Sequence, residues 1–165
     1  MAVPRRLEWA VELLDVRPDD RILEIGPGGG VAAELICGRL DGGSYTGIDR
    51  SATQIERARR RVPGARWEAA AIEDYRCDER FTKVLAVNVN LFWTRSPAHE
   101  LELIAGLLEP GGELLLVYDS PGGAGSVAEQ VARAAGEHGF EARVVAGDGL
   151  AAVRARPRGA GRPGP

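Results

Sequence analysis

The sequence predicts an α/β protein, a three-layer sandwich built on a mostly parallel seven-stranded sheet that ends in an antiparallel hairpin. Three observations carry this expectation. Short apolar runs alternate with segments of helical spacing along most of the 165 residues, as in a parallel sheet covered on both faces. A glycine-rich loop at 26–30 lies between the first apolar run and a helical segment. Gly147-Asp148-Gly149 joins the last two strand-like runs as a short turn, which favours an antiparallel pair.

Each element has its own signal. Leu7, Val11 and Leu14 recur at helical spacing, with Glu8 and Glu12 elsewhere on the wheel, so 7–14 reads as a helix. After the turn at 17–20, residues 21–25 suit a buried parallel strand. A helix over 31–40 ends at Asp41-Gly42-Gly43. Strand 44–48 follows, and Ser51 is placed to cap a helix over 52–61 that Pro63-Gly64 closes. Strand 65–69 is weakly patterned, and strand 83–89 strongly. Ser96-Pro97 resembles an N-cap followed by proline at the first helical position, opening a helix over 97–108. Pro110-Gly111-Gly112 stops that helix before strand 113–118. A helix over 124–138, ended by Gly139, precedes strands 140–145 and 150–156. One domain over 1–157 is expected, with the Gly/Pro/Arg tail 158–165 disordered.

Composition narrows the function. The net charge of -3 gives no global attraction to nucleic acid. Arg57, Arg59, Arg60 and Arg61 spread around one helix as a solvated face before a nucleic-acid patch. Cys37 and Cys77 lack metal-ligand spacing and read as reduced thiols. The first residues lack an apolar leader, and no run approaches a membrane span. A cytoplasmic protein is the expectation, with no membrane partner and no metal.

In such sheets ligands gather at the carboxyl ends of the strands, near the switch in strand order. Glu24-Ile25-Gly26-Pro27-Gly28-Gly29-Gly30 leaves the first strand there, where glycines let the backbone approach a ligand closely. Gly26 and Gly28 fit the dinucleotide fingerprint, but Val31 stands at its third glycine position. Asp49 ends the second strand about twenty residues beyond the glycine loop, the spacing that nucleoside sites use. Its carboxylate can accept two bonds from a ribose diol. The alternative, that Asp49 caps the next helix, competes with Ser51, which already suits that task.

The pattern E-x-G-x-G-x-G at Glu24, Gly26, Gly28 and Gly30 resembles motif I of class I S-adenosylmethionine (SAM)-dependent methyltransferases. Gly47-Ile48-Asp49-Arg50-Ser51 is similar to their second motif, 67–74 to their third, 87–93 to their fourth, and Leu108-Glu109-Pro110-Gly111-Gly112 to the turn before their fifth strand. The resemblance covers about 7–153. It implies a Rossmann-like fold and a methyl transfer from SAM, yielding S-adenosylhomocysteine (SAH). By resemblance, Glu24, Gly26, Pro27, Gly28, Gly30, Asp49, Arg50, Ala71, Ile72 and Asn88 hold the cofactor, and Asn90 and Trp93 face the acceptor. The sequence departs from the family at Ala71, which replaces the carboxylate that receives the adenine amino group. Glu73 or Asp74 would substitute if the register shifted. Asn-Pro-Pro-aromatic is absent, against an amino-methylating enzyme of nucleobases or glutamine.

No catalytic base is assigned, because His99 and His138 both read as solvated. A small-molecule acceptor is favoured over a macromolecule. The chain is short for such enzymes, so either the site is open or a second subunit, in a homodimer, closes it. Two other readings stay open: a degenerate methyltransferase fold serving as a binding subunit, and a nucleotide-dependent oxidoreductase, which Val31 opposes.

Overall fold

The computed structural model describes residues 2–159. Its elements run α1 (Arg5–Leu14), β1 (Arg21–Ile25), α2 (Val31–Cys37), β2 (Ser44–Asp49), α3 (Ala52–Arg61), β3 (Arg66–Ala69), β4 (Phe81–Val87), α4 (Leu91–Thr94), α5 (Ala98–Leu107), β5 (Leu108–Tyr118), α6 (Ala124–Glu137), β6 (Phe140–Ala146) and β7 (Ala151–Pro157). The seven strands form one sheet in the order β3-β2-β1-β4-β5-β7-β6. The first five are parallel. β7 runs antiparallel to both β5 and β6, so the expected hairpin is present. Of the tail expected at 158–165, Arg158 is tied down, donating its backbone N–H to the Gly139 carbonyl; residues 160–165 lie outside the described residues.

Strand alternation builds two cores. Leu23, Leu114 and Leu116 face one helical layer with Leu101, Ile104 and Val131. Ile22, Leu85, Leu115 and Val117 face the other with Val11, Leu14 and Ile36. Because β1 and β2 are covered on both sides, their burial is nearly continuous, as expected for internal parallel strands. At the base of the sheet, Asp20 is 5% exposed and meets Lys83 at 2.9 Å. It also accepts from Thr82 Oγ1 and from the Arg17 backbone N–H. Burial raises its pKa, but these donors outweigh that and hold it below the ordinary carboxylate value.

Several boundaries differ from expectation for identifiable reasons. α2 stops at Cys37, and Gly38 continues in right-handed conformation rather than forming a left-handed cap. β4 ends at Val87, because Asn88 turns to φ 55°. Its N–H bonds the Val117 carbonyl and its Oδ1 accepts from the Asp119 N–H. The expected strand through residue 89 is therefore cut short, and 91–94 coil into an unforeseen helical turn. Pro97, not Ser96, is the cap residue of α5, and no side chain bonds that helix end. Pro110-Gly111-Gly112 does not separate helix from strand. α5 ends at Leu107, and β5 begins at Leu108 with a bulge: Phe81 pairs with Leu108 and Lys83 with Glu113.

Candidate functional site

The chain leaves β1 for β2 and β3 on one side and returns at β4 on the other. The crevice at this switch point opens beside the β1 and β4 loops. Gly26, Gly28 and Gly30 have φ of 70°, 56° and 84°, a region costly for residues with a Cβ. Gly30 is also crowded: a Cβ there would lie 3.1 Å from the Ala58 backbone of α3. Glycine thus serves both the turn and the seating of α2 against α3. Arg61 ties the two from outside, donating Nε–H to the Gly29 carbonyl and pairing with Glu34. Arg59 pairs with Glu56, so two of the four clustered arginines are engaged locally on an exposed face.

Asp49 stands at the end of β2. Its Oδ1 accepts from the Ser51 N–H at 2.9 Å and its Oδ2 from the Gly28 N–H at 3.3 Å. Ser51 Oγ itself accepts from Gln54 N–H, so the helix cap is the serine, as expected. Each Asp49 oxygen keeps a further lone pair, enough to receive a diol. Beside it runs a slot of about 180 Å³ walled by Gly26, Asp49, Arg50, Ala71 and Ile72, with Val89 and Leu91 opposite. The apolar side chains suit a planar ring and the carboxylate suits hydroxyls, so the residues present fit an adenosine group.

The expected cofactor residues therefore do not form one wall. Gly26, Asp49, Arg50, Ala71 and Ile72 share the slot. Pro27 is buried, close to the Gly47 backbone of β2, and Gly28 and Gly30 shape the loop. Glu24 lies beneath it, 2% exposed, accepting from the Tyr45 hydroxyl at 2.7 Å. Burial lifts the Glu24 carboxyl to about 7, with Asp49 adding to the rise and the Tyr45 bond opposing it. Asn88 falls outside the slot, its Oδ1 occupied by Asp119 N–H. With Asn90 and Trp93 it lines a second cavity, of about 190 Å³.

Beside Ala71, Glu73 and Asp74 do not line the slot; with Arg50 and Ala71 they line an adjoining open cavity of about 520 Å³. Asp74 is exposed. Glu73 is held by Arg50 at 3.2 Å and by Arg95 at 2.7 Å; Arg95 also meets Glu100. Partial burial pushes the Glu73 carboxyl up, but its own backbone N–H, Arg95 and Arg50 bring it down to about 2. This ionic ladder clasps the loop after β3 to the start of α5. Val89 and Leu91 line the slot and Tyr118 the second cavity; sequence reasoning placed the first two in the 87–93 motif without a role of their own and did not single out Tyr118. Their position after β4 and at the end of β5 is the signal that could have found them. Phe92, by contrast, is 1% exposed and belongs to the core.

The sheet order, with its crevice at the strand switch point, defines an α/β domain of the methyltransferase kind. The family described as "Methyltransferase domain" matches residues 22–112, over half of the chain. The chain belongs to the class I SAM-dependent methyltransferase family. Trans-aconitate 2-methyltransferase of Pseudomonas paraeruginosa is 34% identical over 105 residues, 62% of this chain and 38% of that protein. The Methylobacterium nodulans protein of the same name is 32% identical over 127 residues, 76% and 48% of the two chains. This chain thus spans less than half the length of these relatives. Among solved structures, a DhpI–SAH complex superimposes with a TM-score of 0.74 at 17% identity, covering 92% of this chain and 83% of that one. The N-methyltransferase NodS of Bradyrhizobium japonicum, also with SAH, gives 0.71 at 19% identity, covering 93% and 84%. These likenesses bear on the fold alone. Among the described residues, no helix is long and apolar enough to cross a membrane.

Proposed function

We propose that this chain is an enzyme that binds SAM in the slot beside Asp49 and transfers its methyl group to a small-molecule acceptor. The observation that carries the reading is the juxtaposition of the Asp49 carboxylate with the left-handed glycine turn at Gly26, on the rim of an apolar slot. In this reading Asp49 accepts the ribose hydroxyls on the lone pairs that the Ser51 and Gly28 N–H bonds leave free. Ile72, Val89 and Leu91 pack the ring and exclude water from it, while Arg50 covers the open edge. The cofactor supplies an electrophilic methyl on a sulfonium, so what the protein adds is alignment. Holding two reactants in line can remove several kcal/mol of barrier. The relatives named trans-aconitate 2-methyltransferase support a small acceptor, and trans-aconitate is the natural first assay.

Isothermal titration with SAM and SAH tests the cofactor site. Micromolar binding is expected. Asp49→Ala should weaken it by about 1.5–3 kcal/mol, the range for hydrogen bonds to a charged group, or roughly 10–150-fold. A folded wild-type protein that binds neither compound would overturn the reading.

One observation favours a second reading, a degenerate fold that binds without turnover. Ala71 offers no carboxylate at the ring end, and Glu73 is committed to Arg50 and Arg95. Formation of SAH during incubation with SAM and acceptor separates the two.

A further inference from the structure

The sheet has two outer strands, β3 and β6. β3 is 4 residues long, and its Arg66 is committed to Glu79 at 2.6 Å. β6 is 7 residues long and, among the described residues, pairs only with β7. The ladder fixes which of its backbone groups are spent. The Arg158 N–H bonds the Gly139 carbonyl, and the Gly147 N–H bonds the Leu150 carbonyl. In the register that sets Phe140 against Pro157 and Ala146 against Ala151, these bonds flank β6 at odd-numbered residues. Antiparallel ladders alternate bonded and non-bonded pairs, so the odd-numbered residues direct their N–H and C=O groups at β7. Pro157, which has no N–H, accordingly stands at a non-bonded position. Phe140, Ala142, Val144 and Ala146 turn their N–H and C=O groups outwards, a row that can pair with another strand.

The side chains of this edge alternate between the faces of the sheet. Glu141 and Arg143 are exposed on one face, where they line a cavity of about 280 Å³ with Glu113, Arg154 and Arg156. Arg154 and Arg156 both meet Glu113, whereas Glu141 and Arg143 enter no ion pair among the described residues. On the other face Phe140 is buried in the core with Val131 and Ala135 of α6. Val144, on that same face, is the large apolar residue left exposed among the described residues, at 38%. An edge that carries charges of one sign repels a copy of itself in every register. β6 carries one charge of each sign, two residues apart, so the register decides between attraction and repulsion.

We infer that β6 pairs with β6 of a second copy of this chain, antiparallel about a two-fold axis at Ala142, so that one sheet continues across the dimer. A two-fold axis perpendicular to the sheet keeps each face on its own side, so even-numbered residues meet even and odd meet odd. Centred on Ala142, the pairing sets Ala142 against the partner's Ala142 and Phe140 against the partner's Val144. These are the residues with outward backbone groups, and together they exchange about six hydrogen bonds. Glu141 then stands opposite the partner's Arg143, and Arg143 opposite the partner's Glu141. Both pairs fall at non-bonded positions, where side chains approach most closely. Moving the centre to Arg143 would set two arginines against each other, and moving it to Glu141 two glutamates. Charge thus selects one register among those that the backbone permits. β5 and β7 lie between β6 and β4, so this dimer leaves both cofactor crevices uncovered and does not depend on what fills them.

Sedimentation equilibrium of the full chain tests this. The wild type should form dimers with a dissociation constant between about 10 μM and 1 mM, as suits a small edge interface. Glu141→Arg and Arg143→Glu each turn the two attractive cross-pairs into repulsive ones. Each should weaken self-association by about tenfold or more. Combining the two substitutions restores the complementarity and should restore the dimer. The two single variants, mixed, should associate with each other although neither associates with itself. Both side chains are exposed, and circular dichroism checks that the variants are folded. A wild type that stays monomeric at about 1 mM overturns the inference and leaves the edge to a different extended chain. A dimer indifferent to the single reversals, or one that the combined swap fails to restore, overturns it too, because association would then lie elsewhere or in another register.

Discussion

Glu24 makes the stability of this protein fall as pH rises through neutrality. Its carboxyl is 2% exposed, and burial lifts it from 4.5 to about 7. The folded state therefore holds a proton that the unfolded chain has already released. With fewer protons on the unfolded state, stability declines with pH between the two values. The contribution is whole below about 4.5 and lost above about 7. At 1.36 kcal/mol per unit, the span is worth about 3 kcal/mol, of which about 2.5 kcal/mol falls between pH 5 and pH 8. Glu24→Gln removes the titration but keeps an acceptor for the Tyr45 hydroxyl. Its own packing cost is independent of pH, so the informative quantity is how the difference between the two proteins changes. Urea unfolding followed by circular dichroism at pH 5, 6, 7 and 8 measures it. The Glu24→Gln protein should gain on the wild type by about 2.5 kcal/mol across that range. A constant difference, or one that shrinks with pH, would refute the argument, because it would mean that Glu24 is ionised in the folded protein at pH 5.

Three further outcomes follow from the same structure. Gly28→Ala should cost about 1–2 kcal/mol for its left-handed backbone alone, since nothing lies within 4 Å of the new Cβ. Gly30→Ala should cost more, because its Cβ would also meet Ala58 at 3.1 Å; chemical denaturation of the pair orders them. Asp20→Ala removes the partner of Lys83 and of two further donors. A loss of about 3–5 kcal/mol is expected for breaking a buried pair, read as a lower urea midpoint. Because the folded pKa of Asp20 lies below its ordinary value, its contribution is present above the unfolded pKa. It fades as pH falls through the folded value, so the wild type and Asp20→Ala should converge in acid.

The strands, most helices and the position of the crevice were legible in the sequence because their signals are local. Ile22, Leu23 and Ile25 announce a buried strand by adjacency, Ser51 announces a cap by its spacing to Gln54, and the glycines announce a turn that only they adopt cheaply. The split of the expected cofactor residues was not legible. Glu24 and Asp49 look alike in a motif, yet one side chain lies in the layer beneath the loop and the other on the rim. Strand alternation decides which, and β1 must be paired with its neighbours before its faces have an inside and an outside. Asn88 illustrates a second kind of miss. Its apolar neighbours Val87 and Val89 extend the strand pattern, but the Val117 carbonyl of β5 and the Asp119 N–H just beyond that strand hold its backbone in a left-handed turn.

By itself, then, the sequence determined the order of the seven strands and of five of the six helices, the antiparallel ending and the position of the crevice. These depend on periodicity and on backbone freedom at single positions, which neighbours in the chain express. The tertiary structure alone decided that Glu24 is buried against Tyr45, that Glu73 is claimed by Arg50 and Arg95, and that Tyr118 ends its strand with a hydroxyl that has no partner among the described residues. Each of these depends on which atoms surround a polar group, and burial and pairing are set by residues far away in the chain.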